Sequence, residues 1–362
     1  MKHTYFFTGF PGFLATRLIK GMIRRDNMFE SAFLLVLPSQ EDIAKKEAIE
    51  IEREMQLEQG SLQVIIGDIT KEGLHIVDYI AVEKITHVFH LAAIYDLAVP
   101  KDIAYEVNVV GTKNVNDWVK TLPNLKRYIY FSTAYVAGTR EGTLLETELI
   151  RPTSFKNFYE ETKFEAEVLV EQLKNEIPIT IIRPGIVKGH SETGETIKFD
   201  GPYFILNTLR AIAFLPFKPY IGRSNSKINL VPVDYIIEAV SFLALYEGGE
   251  GKTYHLTDPN PYSATEIYEM FTEAMYKQKP KGMIPLSLCK MGLSFAPVRK
   301  FLHTEQETID YFTWKGNFDC THAKRDLLEA DIACPDFKKG VPAMVQFYLK
   351  HQNNPKFQVP IQ

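Results

Sequence analysis

The feature that most constrains this chain is an alternation. Short apolar runs recur at Tyr5-Phe6-Phe7, Phe33 to Leu37, Leu62 to Ile66, Thr86 to Leu91, Tyr128 to Phe131 and Ile179 to Ile182. Each has the length of a strand, and turn residues or charged stretches separate them. Helical patterns lie between. Phe13, Leu14, Leu18, Ile19, Met22 and Ile23 share one helical face, and 41–59, 102–121 and 158–174 read as further helices. Strands that are apolar throughout need cover on both faces, so the pattern predicts an α/β fold with a doubly wound parallel sheet. After Pro184 the rhythm changes. Residues 188–228 are rich in Gly, Pro, Phe and Tyr, 229–257 return to strand, helix and strand, and 258–350 are mostly helical. The expected organisation is a large domain from 1–187 and 229–257, a smaller, mostly helical lobe from 188–228 and 258–350, and a loose tail at 351–362.

One loop says what the large domain holds. Thr8-Gly9-Phe10-Pro11-Gly12-Phe13-Leu14-Ala15 joins the first strand to the first helix. Gly9 permits a tight turn. Gly12 lets a pyrophosphate approach the backbone, and the N–H groups of Phe13 and Leu14 open the helix toward it, with the helix dipole adding attraction. A Gly-x-x-Gly pair alone is an ordinary turn, but its position at the head of a long α/β alternation makes it a dinucleotide-binding loop of the Rossmann type. Phe10 is counted among its contacts, and Ala15 stands where such loops usually carry a third glycine.

The end of the second strand bears on which dinucleotide. NAD-binding folds usually place an acid there for the ribose hydroxyls. This chain has Leu37-Pro38-Ser39-Gln40, with Ser39 counted as a contact. Arg17, Lys45 and Lys46 are candidate partners for a 2′-phosphate, although a solvated helix face explains the two lysines equally well. NADP(H) is favoured and NAD(H) stays open.

Tyr159-Glu160-Glu161-Thr162-Lys163 sets a tyrosine and a lysine four apart on a helix, hence on one face. An unperturbed phenol, with a pKa of about 10, is a poor general acid/base near neutrality. A neighbouring ammonium would draw it toward the working range. Tyr-x-x-x-Lys alone is common. Ser132 and Thr133 sharpen it, because they close the preceding strand at the carboxyl edge of the sheet, where such folds bind ligands.

Together these segments resemble the extended short-chain dehydrogenases/reductases. The glycine loop, Gly67-Asp68-Ile69, His90-Leu91-Ala92-Ala93, Asn108 with Gly111-Thr112, Ser132-Thr133, Tyr159-x-x-x-Lys163 and Arg183-Pro184-Gly185 occur in that family's order. Val231-Pro232-Val233-Asp234 fits a later segment. Within the family the chain looks most like the fatty acyl-CoA reductase and thioester-reductase branch, through Gly12-Phe13-Leu14, Ser132-Thr133-Ala134-Tyr135-Val136, Arg183-Pro184-x-Ile186-Val187, Asp200-Gly201-Pro202 and the stretch from Tyr311 to Leu328. Neither a long C-terminal membrane extension nor an attached carrier or adenylation domain is expected, which leaves the acyl donor open. The resemblance implies that Gly9, Gly12, Phe13 and Leu14 hold the pyrophosphate. Asp68 and Ile69 would flank the adenine, Ala92 and Ala93 would line the cofactor path, and Asn108 would support the active-site loop. Lys163 would hold the nicotinamide ribose and tune Tyr159. Thr133, with Ser132 beside it, would bind the substrate carbonyl, while Pro184 and Ile186 pack near the nicotinamide. A dimer through helices 102–121 and 158–174 is also implied.

The remaining features mostly exclude. Lysine and arginine total 41 against 45 acids, a net charge of −4, which argues against a nucleic-acid partner. Cys289, Cys320 and Cys334 are too few and too scattered for a disulfide framework and suit a cytoplasmic chain. No run approaches the ~18 apolar residues that span a bilayer, and no targeting segment is visible. His87 and His90, three apart on a strand, point to opposite faces and cannot share a metal. Asp234 is expected to cap a helix. The apolar stretch from Tyr203 to Tyr220 could wall an acyl tunnel, touch a membrane or simply pack the lobe. The expected activity is hydride transfer to a carbonyl or acyl thioester, with Tyr159 delivering the proton. Two rivals stay open: an extended reductase, epimerase or dehydratase acting on a sugar nucleotide or hydroxysteroid, and a non-catalytic dinucleotide-binding regulator.

Overall fold

The computed structural model describes residues 2–95 and 99–361. Along the chain run strand β1 (His3–Thr8), helix α1 (Phe13–Arg25), β2 (Phe29–Val36), α2 (Glu41–Glu54), β3 (Leu62–Ile66) and β4 (Ile85–His90). Then come α3 (Lys101–Tyr105), α4 (Gly111–Val119), β5 (Arg127–Phe131), β6 (Gly142–Leu144), α5 (Phe158–Glu171), β7 (Ile179–Pro184) and β8 (Ile186–Lys188). The second half adds α6 (Tyr203–Ala211), β9 (Tyr220–Ile221), β10 (Leu230–Pro232), α7 (Val233–Leu243), β11 (Thr253–Leu256), α8 (Ala264–Tyr276) and β12 (Met283–Ile284). It closes with α9 (Leu286–Leu293), α10 (Ala296–Leu302), β13 (Gly316–Phe318), α11 (Thr321–Leu327) and α12 (Phe337–His351).

Seven strands form one parallel sheet in the order β11-β7-β5-β4-β1-β2-β3. The chain starts at β1, winds outward through β2 and β3, then crosses back to β4, so the winding reverses between β1 and β4. A crevice opens there at the carboxyl edge, the place where such sheets bind ligands. Alternate side chains explain the continuous apolar strands. Tyr5 and Phe7 enter a core shared with α1, α2 and α7, while Phe6 enters the opposite core with Val115 and Val119 of α4 and Ala166 and Val170 of α5. A third core in the lobe gathers Tyr203, Leu206 and Leu209 of α6 with Phe271 of α8 and Met344 and Tyr348 of α12.

The structure redraws the expected organisation in four places. Of 229–257 only β11 joins the main sheet; β10 pairs instead with β8 in a separate two-stranded sheet. Residues 316–332, assigned from sequence to the lobe, return to the large domain. There β13 pairs with β6, and Cys320, Ala323, Leu327 and Ile332 complete the core under α7. The tail is docked rather than loose. The Phe199 N–H donates to the Phe357 carbonyl at 2.7 Å, the two rings stack at 5.2 Å, and Arg210 holds Gln352 and Asn353. Finally, Asp234 does not cap α7, because Pro232 occupies that position; its carboxylate instead accepts from the Ser191 N–H at 2.8 Å and the Ser191 hydroxyl at 2.5 Å.

Candidate active site

A single cavity of about 780 Å³ runs from the glycine loop, past the ends of β5 and β7, into the lobe. Its first wall is main chain. Gly9 has φ +86°, and a Cβ there would stand 2.8 Å from the Ala92 nitrogen, so both the turn and the contact between β1 and β4 demand glycine. A Cβ on Gly12 would sit 2.6 Å from the Gly9 carbonyl, which accepts the Gly12 N–H at 2.8 Å. No side chain caps the start of α1. Its first-turn N–H groups at Phe13 and Leu14 therefore lie where the cavity meets them, which fits a bound pyrophosphate. Phe10, Asp68, Ile69, Ala92, Ala93, Pro184 and Ile186 also line the cavity. Asp68 shapes its own turn by accepting from the Thr70 N–H and hydroxyl, both at 2.9 Å.

The tip of β2 behaves differently. Leu37 and Gln40 line the cavity, whereas Ser39 sits exposed on a short 3-10 turn outside it. Arg17 is held by Glu195 at 2.7 Å and lies over the Phe13 ring, and Lys45 pairs with Glu41 at 2.5 Å. Neither these two nor Lys46 lines the cavity.

Helix α5 supplies the polar centre. Asn157 fixes its start by accepting the Glu160 N–H at 2.9 Å, which turns Tyr159 and Lys163 to the cavity one helical turn apart. Lys163 is buried, and its ammonium donates to the Phe131 carbonyl at 2.6 Å and the Tyr130 hydroxyl at 3.0 Å. Burial draws its pKa down to about 7, opposed by Glu167. The sequence expectation that Lys163 draws Tyr159 down is not what this arrangement does. Burial raises the Tyr159 phenol above its ordinary value, Glu160 adds to the rise, and a hydrogen bond with Thr133 opposes it. Tyr159 is thus held protonated, and Thr133, also lining the cavity, is its neighbour.

Ser132 lines the cavity too, but its hydroxyl is committed to the buried Glu167. Glu167 also takes Nε and Nη2 of the buried Arg183 at 2.8 and 2.5 Å. Ser132 therefore belongs to a buried ionic network that locks α5 to β5 and β7. Asn108 does not reach the cavity. Its amide accepts from the Ile94 N–H at 2.9 Å and donates to the Thr162 hydroxyl at 3.0 Å, which ties the 94–95 loop to α5. Tyr95, on that loop, meets the Tyr159 ring edge-on at 5.0 Å. His90 is structural: burial lowers its pKa to about 3, and the neutral ring bridges the hydroxyls of Thr8 (2.7 Å) and Thr112 (3.1 Å).

Sequence reasoning missed a second group beside Tyr159. Glu160 is fully buried, lines the cavity, and accepts the Tyr311 hydroxyl at 2.8 Å. Lys156 stands 3.5 Å away, donates to the Gly138 carbonyl at 2.6 Å and lies over the Trp314 ring. Burial raises the Glu160 carboxyl, with Lys156 opposing. The acid directly after Tyr159 was visible in sequence. Its inward direction was not, because Tyr311 and Trp314 arrive from the far end of the chain.

Sheet, loop and polar centre define an NAD(P)-dependent extended short-chain dehydrogenase/reductase. Residues 7–240 match the family described as male sterility protein, and the chain belongs to that family. It is 24% identical to an alcohol-forming fatty acyl-CoA reductase of Simmondsia chinensis, across 82% of this chain and 76% of that protein. It is 25% identical to the non-canonical nonribosomal peptide synthetase cpsA of Aspergillus campestris, across 74% of this chain but only 27% of the synthetase. The chain thus spans about a quarter of the synthetase-type relatives it matches. The solved terminal R domain of the myxalamid PKS-NRPS pathway has the same fold, with a TM-score of 0.78 at 24% identity, covering 97% of this chain and 91% of that one.

Proposed function

We propose that the chain reduces an aldehyde or acyl thioester with NADPH, and that Tyr159 is the proton donor. The observation that carries this is the continuity of one cavity. A main-chain cradle for a dinucleotide, a protonated Tyr159 beside Thr133, and an apolar wall of Ile186, Phe204, Ile205, Ile228 and Phe312 share the same space. The fatty acyl-CoA and aldehyde reductases among its relatives support the reaction class.

A bound reduced nicotinamide would supply a hydride to the carbonyl carbon. Thr133 orients the carbonyl oxygen, and Tyr159 gives its phenolic proton to that oxygen as negative charge develops there. Burial keeps the Tyr159 phenol protonated but makes it a weaker acid, so proton release is driven by the negative charge that develops on the substrate oxygen. Lys163, anchored to the Phe131 carbonyl, stands one helical turn from Tyr159 on the same cavity wall, where it would meet the bound cofactor. On a thioester the first reduction gives a hemithioacetal, which expels the thiol and leaves an aldehyde; a second hydride and proton give the alcohol.

NADP(H) is proposed over NAD(H) because no carboxylate stands at the β2 tip. The apolar wall favours a lipid-like substrate over a sugar nucleotide. A homodimer is proposed through the 102–121 segment, which holds α3 and α4, and α5, where Ile103, Tyr105 and Phe158 are exposed. Among the described residues no helix is long and apolar enough to cross a membrane, and a cytoplasmic location is part of the same proposal. Oxidation of NADPH and NADH by the purified chain, with a panel of acyl-CoAs, aldehydes and ketosteroids, tests the reading. NADPH consumption with aldehydes or acyl-CoAs is expected; turnover confined to ketosteroids, or none at all, would overturn it.

A further inference from the structure

The lobe has an outer face unlike the rest of the surface. Residues 201–233 contain Arg210, Lys218, Arg223 and Lys227 and no acid. Residues 277–304 contain Lys277, Lys279, Lys281, Lys290, Arg299 and Lys300 and again no acid. The whole chain is net negative, so cations are concentrated here and anions elsewhere. The fold brings the two segments together: β9 pairs with β12, the Tyr220 N–H donates to the Gly282 carbonyl, and the Lys281 N–H donates to the Lys218 carbonyl.

Large apolar side chains stand exposed on these same segments. Phe214 is 75% exposed, Phe295 60% and Met291 58%, and Phe217, Met283 and Phe301 are each at least half exposed. Leu288, Met291 and Phe295 follow one another at helical spacing along α9 and its end, so they form an outward stripe. Buried contacts hold this display in place. The Lys218 ammonium, 2% exposed, donates to the carbonyls of Ala213 (3.2 Å) and Leu215 (2.6 Å), which folds the loop bearing Phe214 and Phe217. Arg299 donates to the Leu293 carbonyl at 2.8 Å, which fixes α10 against the end of α9. Acids reach the face from neighbouring elements: Glu266 is 3.7 Å from Lys227, Glu269 accepts the Tyr220 hydroxyl at 2.6 Å, Glu273 is 3.8 Å from Lys279, and Asp310 is 3.0 Å from Lys290; the three ion pairs are surface pairs.

We propose that this face docks on an anionic lipid bilayer. Exposed phenylalanines and methionines interleaved with lysines are the composition that enters a headgroup layer, with apolar rings sinking in and ammonium groups reaching lipid phosphates. A lone apolar patch would leave the partner unspecified; the absence of acids in both segments selects a negatively charged one. The inner side of the same lobe, Phe204 and Ile205 of α6 and Phe312, walls the cavity. Docking therefore sets the substrate-binding lobe against the phase in which a lipid-like substrate dissolves. This rests on the reading of the cavity as a site for such substrates.

The test is co-sedimentation of the full chain with vesicles of phosphatidylcholine containing about a third phosphatidylserine, against pure phosphatidylcholine. Retention on the anionic vesicles should exceed that on neutral ones by about ten-fold or more and should fall with salt. The triple change Lys277→Glu, Lys279→Glu, Lys281→Glu should abolish the difference, and Phe214→Ser with Phe295→Ser should weaken retention at every salt concentration. Both variants should reduce a short, water-soluble aldehyde at the parent rate, which shows that they are folded. No retention, or retention equal on neutral vesicles and unmoved by the charge reversal, overturns the docking proposal and leaves the face to a protein partner. Absent aldehyde turnover in a chain that still binds vesicles would instead overturn the reductase reading alone.

Discussion

The two halves of the cavity are built from different materials. The cofactor half is main chain: Gly9 against Ala92, Gly12 against the Gly9 carbonyl, and the uncapped first turn of α1. The substrate half is side chain, drawn from β8, α6, the segment before β10 and the residues around Phe312. A main-chain wall has no atoms to spare, so a single methyl group collides with backbone that cannot move aside. A side-chain wall repacks when one member changes size. The first half should therefore respond to substitution by failing, and the second by shifting preference.

The largest expected effect lies at the junction. Tyr159→Phe should lower kcat by about 10² to 10⁴ while dinucleotide binding, followed by fluorescence titration, stays close to the parent. Equal turnover would remove Tyr159 from the chemistry. Gly9→Val comes next. Its Cβ would press on the Ala92 nitrogen in a backbone region that branched residues avoid, so dinucleotide affinity should drop by more than about a hundred-fold and the fold should lose about 1–3 kcal/mol. On the side-chain wall, Phe204→Ala should change the ratio of kcat/KM between long and short acyl chains by only about ten-fold and leave cofactor affinity alone. A collapse of cofactor binding in that variant would erase the distinction between the two halves.

The remaining effect is in pH. Burial draws Lys163 down to about 7, so between there and the ordinary lysine value near 10.5 the unfolded chain binds a proton that the folded chain does not. Stability from this group therefore rises with pH across that window and is withdrawn as pH falls to about 7. Denaturation of Lys163→Met beside the parent from pH 7 to 10 should show a flatter slope in the variant. An equal slope would mean that Lys163 keeps an ordinary pKa in the fold.

Legibility followed the same division. The strands of the large domain, the glycine loop and the Tyr159/Lys163 pair could be read along the chain because each is local. Strand periodicity spans a few residues, the loop spans eight, and a tyrosine and lysine four apart share a helix face wherever that helix packs. What escaped was assembled from distance. Ser132 looked like a free hydroxyl until Glu167 and Arg183 closed on it. Asp234 sat at a helix start but serves the Ser191 loop. The segment 316–332 read as lobe because its apolar residues show that they are buried without showing against what.

By itself, then, the sequence determined the α/β class, the site of the dinucleotide loop and the helix that carries Tyr159, since all three follow from backbone geometry over short spans. Only the tertiary structure decided that Lys163 bonds to the Phe131 carbonyl rather than to Tyr159, that Glu160 turns inward to meet Tyr311, and that two acid-free segments meet on one face. The reason is physical. A side chain's charge state and partners are set by burial and by groups that fold in from elsewhere, and neither is a property of the neighbouring residues along the chain.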